Sequence, residues 1–276
     1  MRRWIGLAFA LLYAFSAGAA AQRSPLPLGD ASSHFQMARG LTEISGLAVA
    51  SDHSVYAHND EHGIIYEVAL SSGEIISAFA LGEPTTQADF EGVAAFDGRI
   101  YLVTSTGLVY EAVIGAHRDR VRYNVFDTGV GEICEVEGLT QGPEPAEFLL
   151  ICKTAREKAL EGRLVIFNWS LADRMPVVAP WLNVPLSGIL TRQEREYFRP
   201  SAIEWRSQSN SLLILSARNQ LLVSLHRDGT ILSKKSLLRA THPQAEGIAI
   251  MPSGKLVIAD EGTMRMPGGL TVYESE

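Results

Sequence analysis

The chain has 276 residues and a formal net charge of −7. No stretch gathers Lys and Arg into a basic stripe, which argues against nucleic acid as a partner. Its two cysteines, Cys134 and Cys152, stand outside any C-x-x-C spacing, which argues against a zinc or dithiol redox centre.

The chain opens on Met1-Arg2-Arg3 and then runs apolar from Trp4 to about Ala21, ending in small residues. That is the pattern of a secretory signal with a small-residue cleavage site. Residues 1–21 are read as a signal peptide, 22–33 as a linker and 34–276 as a single domain. The rival reading is an uncleaved anchor, because the run is just long enough to span a bilayer. No Cys lies near the cleavage site, so no lipid attachment is expected. Loss of Arg2 and Arg3 takes the net charge from −7 to −9. It leaves about 255 residues, within the range of one large β domain. The expected location is periplasmic or secreted, with inner-membrane anchoring as the alternative.

A short stretch recurs along the remainder. Glu43-Ile44-Ser45-Gly46-Leu47-Ala48 returns as Asp89-Phe90-Glu91-Gly92-Val93-Ala94, then as Glu135-Val136-Glu137-Gly138-Leu139-Thr140. A degraded copy, Arg199-Pro200-Ser201-Ala202-Ile203-Glu204, has Ala202 in place of Gly. The last is Gln244-Ala245-Glu246-Gly247-Ile248-Ala249. The residues before the Gly are spaced by 46, 46, 64 and 45. A step of about 45 residues is that of one four-stranded propeller blade. Unit one supplies strands over 46–50, 54–59, 64–70 and 75–81, rich in Val, Ile, Leu and Tyr as half-buried sheet requires. Phe96-Asp97-Gly98 and His226-Arg227-Asp228-Gly229 signal hairpins. Unit three is long, with a charged insertion over 155–162 and a helix-forming one over 187–199 that stops before Pro200. Unit five provides only three strands, so the segment from His34 to Leu41 is expected to complete it and close the ring without an open edge. The fold expected is all-β: a propeller of five four-stranded blades, with six as the alternative.

The motifs Ile44-Ser45-Gly46-Leu47, Asp89-Phe90-Glu91-Gly92, Pro200-Ser201-Ala202-Ile203, Leu212-Leu213-Ile214-Leu215-Ser216 and Gln244-Ala245-Glu246-Gly247 occur in order over about residues 35–276. In this the chain resembles the SdiA-regulated (YjiK-like) family of exported bacterial propellers. It is more distantly similar to the esterase-like phytase and gluconolactonase-type propellers. The resemblance implies a periplasmic or peripherally membrane-associated propeller with calcium as a candidate cofactor. The long third unit and the Thr104-Ser105-Thr106 loop depart from the pattern.

Chemistry is expected where the innermost strands begin. Ser45, Glu91, Glu137, Ser201 and Glu246 form one ring of positions. Glu43, Asp89, Glu135, Arg199 and Gln244 stand two residues earlier. The loops between second and third strands bring Asn59, Asp60 and Glu61; Thr104 and Ser105; Lys153 and Thr154; Arg218 and Asn219; and Asp260 and Glu261 to the same face. Converging carboxylates repel one another unless a cation lies between them. Calcium takes six to eight oxygen ligands. Glu91, Glu137 and Glu246 with Ser45 and Ser201 offer such donors, and no His or Cys at these positions favours zinc. Neutralisation by Lys153, Arg199 and Arg218, with the glutamates bonding turn backbone, is the competing reading. Asp60-Glu61 and Asp260-Glu261 fall in neighbouring blades and suggest a second cation, a ligand contact or an acid–base pair. His58, His62 and His242 are expected to be structural. Trp169 and Trp181 are expected to pack between blades.

Cys134 and Cys152 flank the hairpin of unit three and are either paired or separately buried. There is no G-x-S-x-G, no H-E-x-x-H and no P-loop. Two functions follow. One is an exported propeller that binds a small molecule or protein at its acidic channel face, with calcium as a candidate bridge. The alternative is a metal-dependent hydrolase of lactones or phosphoesters.

Overall fold

In a computed structural model, which describes Leu28 and residues 31–275, the chain folds as a five-bladed β-propeller. Strand β1 (Ala31–Gln36) comes first. Blade one then holds β2 (Ile44–Ser51), β3 (Ser54–Asn59), β4 (Ile64–Ala69) and β5 (Ile75–Leu81). Blade two holds β6 (Phe90–Phe96), β7 (Arg99–Thr104), β8 (Leu108–Val113) and, after the two-residue β9 (Arg120–Val121), β10 (Tyr123–Asp127). A single turn, α1 (Val130–Ile133), leads into blade three: β11 (Cys134–Gln141), β12 (Glu147–Ala155), β13 (Arg163–Ser170) and β14 (Leu182–Pro185). Helix α2 (Arg192–Tyr197) precedes blade four: β15 (Ala202–Arg206), β16 (Ser211–Ser216), β17 (Leu221–His226) and β18 (Ile231–Ser236). Blade five takes β19 (Ala245–Ile250), β20 (Leu256–Asp260) and β21 (Gly269–Tyr273) from the C-terminal side and β1 from the N-terminal side.

Within each blade the ladder is antiparallel, and β1 pairs with β21 from Ala31↔Tyr273 to Gln36↔Gly269. The closing strand therefore lies earlier than the expected 34–41. It begins inside the stretch read as linker, and Arg39–Leu41 is a 3-10 turn. The strand ends where the chain must turn inward to start blade one, with Leu41 fully buried. The signal peptide and most of the linker, expected over 1–33, lie outside the described residues. No described helix is long and apolar enough to cross a membrane. A strand absent from the sequence reading is β9, which adds in parallel to the outer edge of blade one through Ala80↔Arg120 and Leu81↔Val121. The extra length of unit three is a 3-10 turn at Lys158–Leu160 and the helix α2, not a sixth blade. Thr191 and Glu194 cap α2 reciprocally, and Phe198 ends it before Pro200.

The innermost strands touch in the cyclic order β2, β6, β11, β15, β19 and back to β2. Five apolar clusters fill the five spaces between blades. Phe90 and Ile65 share one, Phe148 and Tyr101 another, and Leu213 and Ile258 a third. Leu28 reaches into that third cluster beside Leu215 and Leu237. Trp169 is fully buried against Phe126 of blade two, and Trp181 meets Trp205 edge-on, both between blades as expected.

The recurring stretch is the joint of these blades. In four of them the ladder slips at the Gly, between Ile44 and Gly46, Phe90 and Gly92, Val136 and Leu139, and Ala245 and Gly247. A bulge of this kind leaves one residue unpaired and re-aims its side chain. In blade four Ala202 stands at the Gly position and pairs regularly with Leu215. The Gly itself is needed for approach between blades: a Cβ on Gly92 would lie 2.6 Å from the backbone N of Leu139. The channel is consequently pinched at this ring to about 10 Å³, room for roughly one water.

Candidate functional site

The bulges set Glu91, Glu137 and Glu246 around the waist, on the side where the innermost strands begin. Glu91, Glu246 and Ser45 line it directly. Lys153, from the end of β12, enters the same space. Its Nζ lies 2.6 Å from Glu137 Oε1 and 3.8 Å from Glu135 Oε1. Glu137 is 5% exposed, and its Oε2 is buried with no hydrogen-bond partner.

The electrostatics follow from that geometry. Burial, then the charge of Glu137, hold the Glu91 carboxyl well above the ordinary carboxylate range, although Lys153 opposes the shift. Burial likewise raises Glu137, against its hydrogen bond from Lys153. Burial, then Glu261, push Glu246 to about 8. Burial draws the Lys153 ammonium down, but its hydrogen bond to Glu137 and the surrounding carboxylates leave it raised. Three carboxyls thus share one ammonium.

The acidic mouth widens on the side of blades five, one and two. Asp60 is raised by burial and then by Glu43, Glu61 and Asp89. Glu261 is raised by burial and then by Asp60 and Glu43. The neighbouring acidic loops expected from blades five and one therefore meet through Asp60 and Glu261. Asn59 Oδ1 accepts from the His62 amide, and its Nδ2 donates to Gly40 O. Ser105 Oγ donates to Asp89 Oδ2 at 2.5 Å.

Other expected site residues are committed elsewhere. Ser201 Oγ donates to Ala245 O at 2.7 Å and accepts from the Ala217 amide, tying blade four to blade five. Asn219 Nδ2 donates to Glu194 O, and Arg199 Nη1 to Phe198 O. Arg218 is exposed on the 3-10 turn Ala217–Asn219. Asp260 is 2% exposed and turned inward: its Oδ2 is 2.7 Å from His242 Nδ1, and His242 Nε2 is 2.5 Å from Tyr273 Oη. This buried Asp–His–Tyr chain was not legible, because the three residues come from separate segments of the chain. His58 donates from Nδ1 to Asn59 O, while its Nε2 is buried without a partner, and burial lowers its pKa to about 4.

Cys134 and Cys152 form a disulfide with Cα atoms 5.8 Å apart, one residue from Glu135 and Lys153 respectively. Among the described residues no group of three His, Cys, Asp or Glu is placed to hold a metal ion. Lys153 is seated against Glu137 within this ring.

Residues 192–266 match the model of the SdiA-regulated family. That stretch runs from α2 through blade four into the last loop of blade five. No curated protein sequence matches the chain. Among solved structures it is similar to the glutaminyl cyclase of Myxococcus xanthus, at 16% identity and TM-score 0.57, over 88% of this chain and 94% of that one. It is also similar to the PQQ-bound aldose sugar dehydrogenase of Streptomyces coelicolor, at 11% identity and TM-score 0.56, over 88% and 98%. A luciferin-regenerating enzyme matches at 7% identity and TM-score 0.53, over 85% and 92%. At these identities the likeness is one of fold.

Proposed function

We propose that this chain is an exported binding propeller whose acidic channel mouth takes a positively charged ligand. One observation carries the reading: Glu91, Glu137 and Glu246 converge on a single ammonium, Lys153, and all three are held above the ordinary carboxylate range. A ligand that brings positive charge to the mouth relieves this repulsion. Asp60 and Glu261 extend the same potential outward, where it speeds encounter with a cation.

Titration of the purified protein with spermidine, with a lysine-rich peptide and with calcium chloride tests this. Binding of spermidine or the peptide is expected, with loss in the Glu91→Gln/Glu246→Gln double variant while the fold survives. Calcium is included because the family resemblance implies it; a calcium-dependent melting shift lost in the same variant would restore the metal-bridged form of the reading. No binding of any of the three cations would overturn it.

A second reading rests on the raised carboxyls themselves. A glutamic acid that keeps its proton near neutral pH has the form of a general acid, as a hydrolase of lactones or phosphoesters would use. Turnover of a lactone and aryl-phosphate panel, lost in Glu246→Gln, would support it.

A further inference from the structure

The acidic mouth occupies one end of the channel. At the other, the ends of the five innermost strands and the hairpins that follow enclose a cavity of about 650 Å³, with all five blades in its wall. Small-molecule sites run to roughly 300–1,000 Å³. The waist between the two ends has room for about one water, so they are separate compartments.

The wall is mixed, with Val49, Phe96 and Ile250 from three different blades among its apolar, partly exposed residues. Glu204, on β15, lines the cavity. Its Oε2 accepts from Thr140 Oγ1 at 2.9 Å and its Oε1 from the Ile250 amide at 3.2 Å. Both donors are neutral, and each carboxylate oxygen keeps a free lone-pair site. Burial raises this carboxyl to about 7. The position lies three residues after the ring residue, and in the other blades it holds Ala48, Ala94, Thr140 and Ala249. The blade joint therefore does not require a carboxylate there. Arg206 and Glu144 also line the cavity.

We propose that this cavity binds a small organic amine with an apolar body, its ammonium against Glu204 and its body against Val49, Phe96 and Ile250. The site is independent of the acidic mouth and lies at the opposite end of the channel.

Calorimetric titration of the full chain with 2-phenylethylamine, 2-phenylethanol and phenylacetate tests it. The amine is expected to bind about tenfold more tightly than the alcohol, the scale of one charge-assisted hydrogen bond, and phenylacetate most weakly. Glu204→Gln should bring the amine down to the level of the alcohol. Ala95→Trp, which intrudes into the cavity, should weaken all three. Glu91→Gln/Glu246→Gln should leave amine binding intact, which separates this site from the mouth. Amine binding no tighter than phenylacetate, insensitivity to Ala95→Trp, or loss in the mouth variant would each overturn the proposal. If Glu204→Gln lowers the melting temperature of a protein that binds none of the probes, Glu204 is a strut between blades and the proposal fails. Should Glu204→Gln not fold, the order of the three probes and the Ala95→Trp variant decide.

Discussion

Lys153 Nζ lies 2.6 Å from Glu137 Oε1, and no other ammonium or guanidinium forms an ion pair with a carboxylate of the ring among the described residues. Removing one partner of a buried pair leaves an uncompensated charge and costs about 3–5 kcal/mol in dry interiors. Lys153 is one-third exposed, so water screens part of that. Lys153→Met should therefore lower stability by about 1–3 kcal/mol at pH 8.5. At pH 6 the loss should be smaller, because Glu137 then carries a proton of its own. Urea unfolding at the two pH values measures the difference. Equal losses at both would show that Lys153 acts through packing alone. The same variant should bind spermidine more tightly, since the competing ammonium is gone.

The ring also gives stability a pH dependence of definite sign. Glu246 has a folded pKa of about 8, against a usual 4.5. The folded state therefore holds its proton more firmly than the unfolded state. That contribution is complete below about 4.5 and is lost as pH rises through about 8. His58 runs the other way. Its folded pKa is about 4 against 6.5, so its contribution is present above 6.5 and is lost as pH falls through 4. Between pH 4.5 and 6.5 the two slopes oppose each other, so the melting temperature should fall mainly on the alkaline side, by about 3–6 °C between pH 6.5 and 8.5. Glu246→Gln should reduce the alkaline fall, with Glu91 and Glu137 supplying the rest, and should leave the His58 contribution below pH 6.5 to show more strongly. An alkaline limb that survives in Glu91→Gln/Glu137→Gln/Glu246→Gln would place its origin outside the ring.

The propeller was legible because its joint repeats. Ser45-Gly46, Glu91-Gly92, Glu137-Gly138 and Glu246-Gly247 recur for a backbone reason, the bulge and the close inter-blade approach, and that reason leaves the Gly in four of the five blades. The meeting of Lys153 with the glutamates followed from the same register. Ser201 was misleading: without a bulge its hydroxyl turns to Ala245 O instead of the mouth. Asp260 sits beside Glu261 in sequence yet is buried against His242, because successive residues at the end of β20 face opposite ways. Glu204 is the acidic side chain in a row otherwise made of Ala48, Ala94, Thr140 and Ala249. That contrast was available in the repeat alignment. Its two partners, Thr140 and Ile250, lie 64 and 46 residues away, and only the closed ring brings them together.

The disulfide sits at the base of the same site. Cys134 and Cys152 close a loop with a sequence separation of 18 and clamp β11 to β12 next to Glu135 and Lys153. In the chain-entropy account a loop of this length is worth about 3 kcal/mol. Cys134→Ser/Cys152→Ser should lower unfolding stability by about 2–3 kcal/mol. Wild type in reductant should behave like the variant, and the variant should not respond to reductant at all. Wild-type stability unchanged by reductant would show that the pair makes no such contribution.

Gly92 tests whether the joint also sets the mouth. A Cβ there would lie 2.6 Å from Leu139 N and 3.0 Å from the backbone of Gly138, on the facing strand of blade three. Backbone cannot swing aside as a flexible side chain can, so β6 and β11 must move apart. Gly92→Ala should cost about 1–3 kcal/mol by overpacking. Gly188→Ala is the control, since a Cβ there meets nothing within 4 Å. It should change stability by less than about 0.5 kcal/mol. Moving β6 from β11 also parts Glu91 from Glu137, which stand one residue before Gly92 and Gly138. The mutual repulsion that holds Glu91 high should then weaken, and its titration, followed by carboxyl NMR, should move toward the usual glutamate range. A Gly92→Ala protein that loses stability but keeps the Glu91 titration would mean that the carboxyls are placed by their bulges alone. The spacing of the blades would then have no part in the chemistry of the mouth.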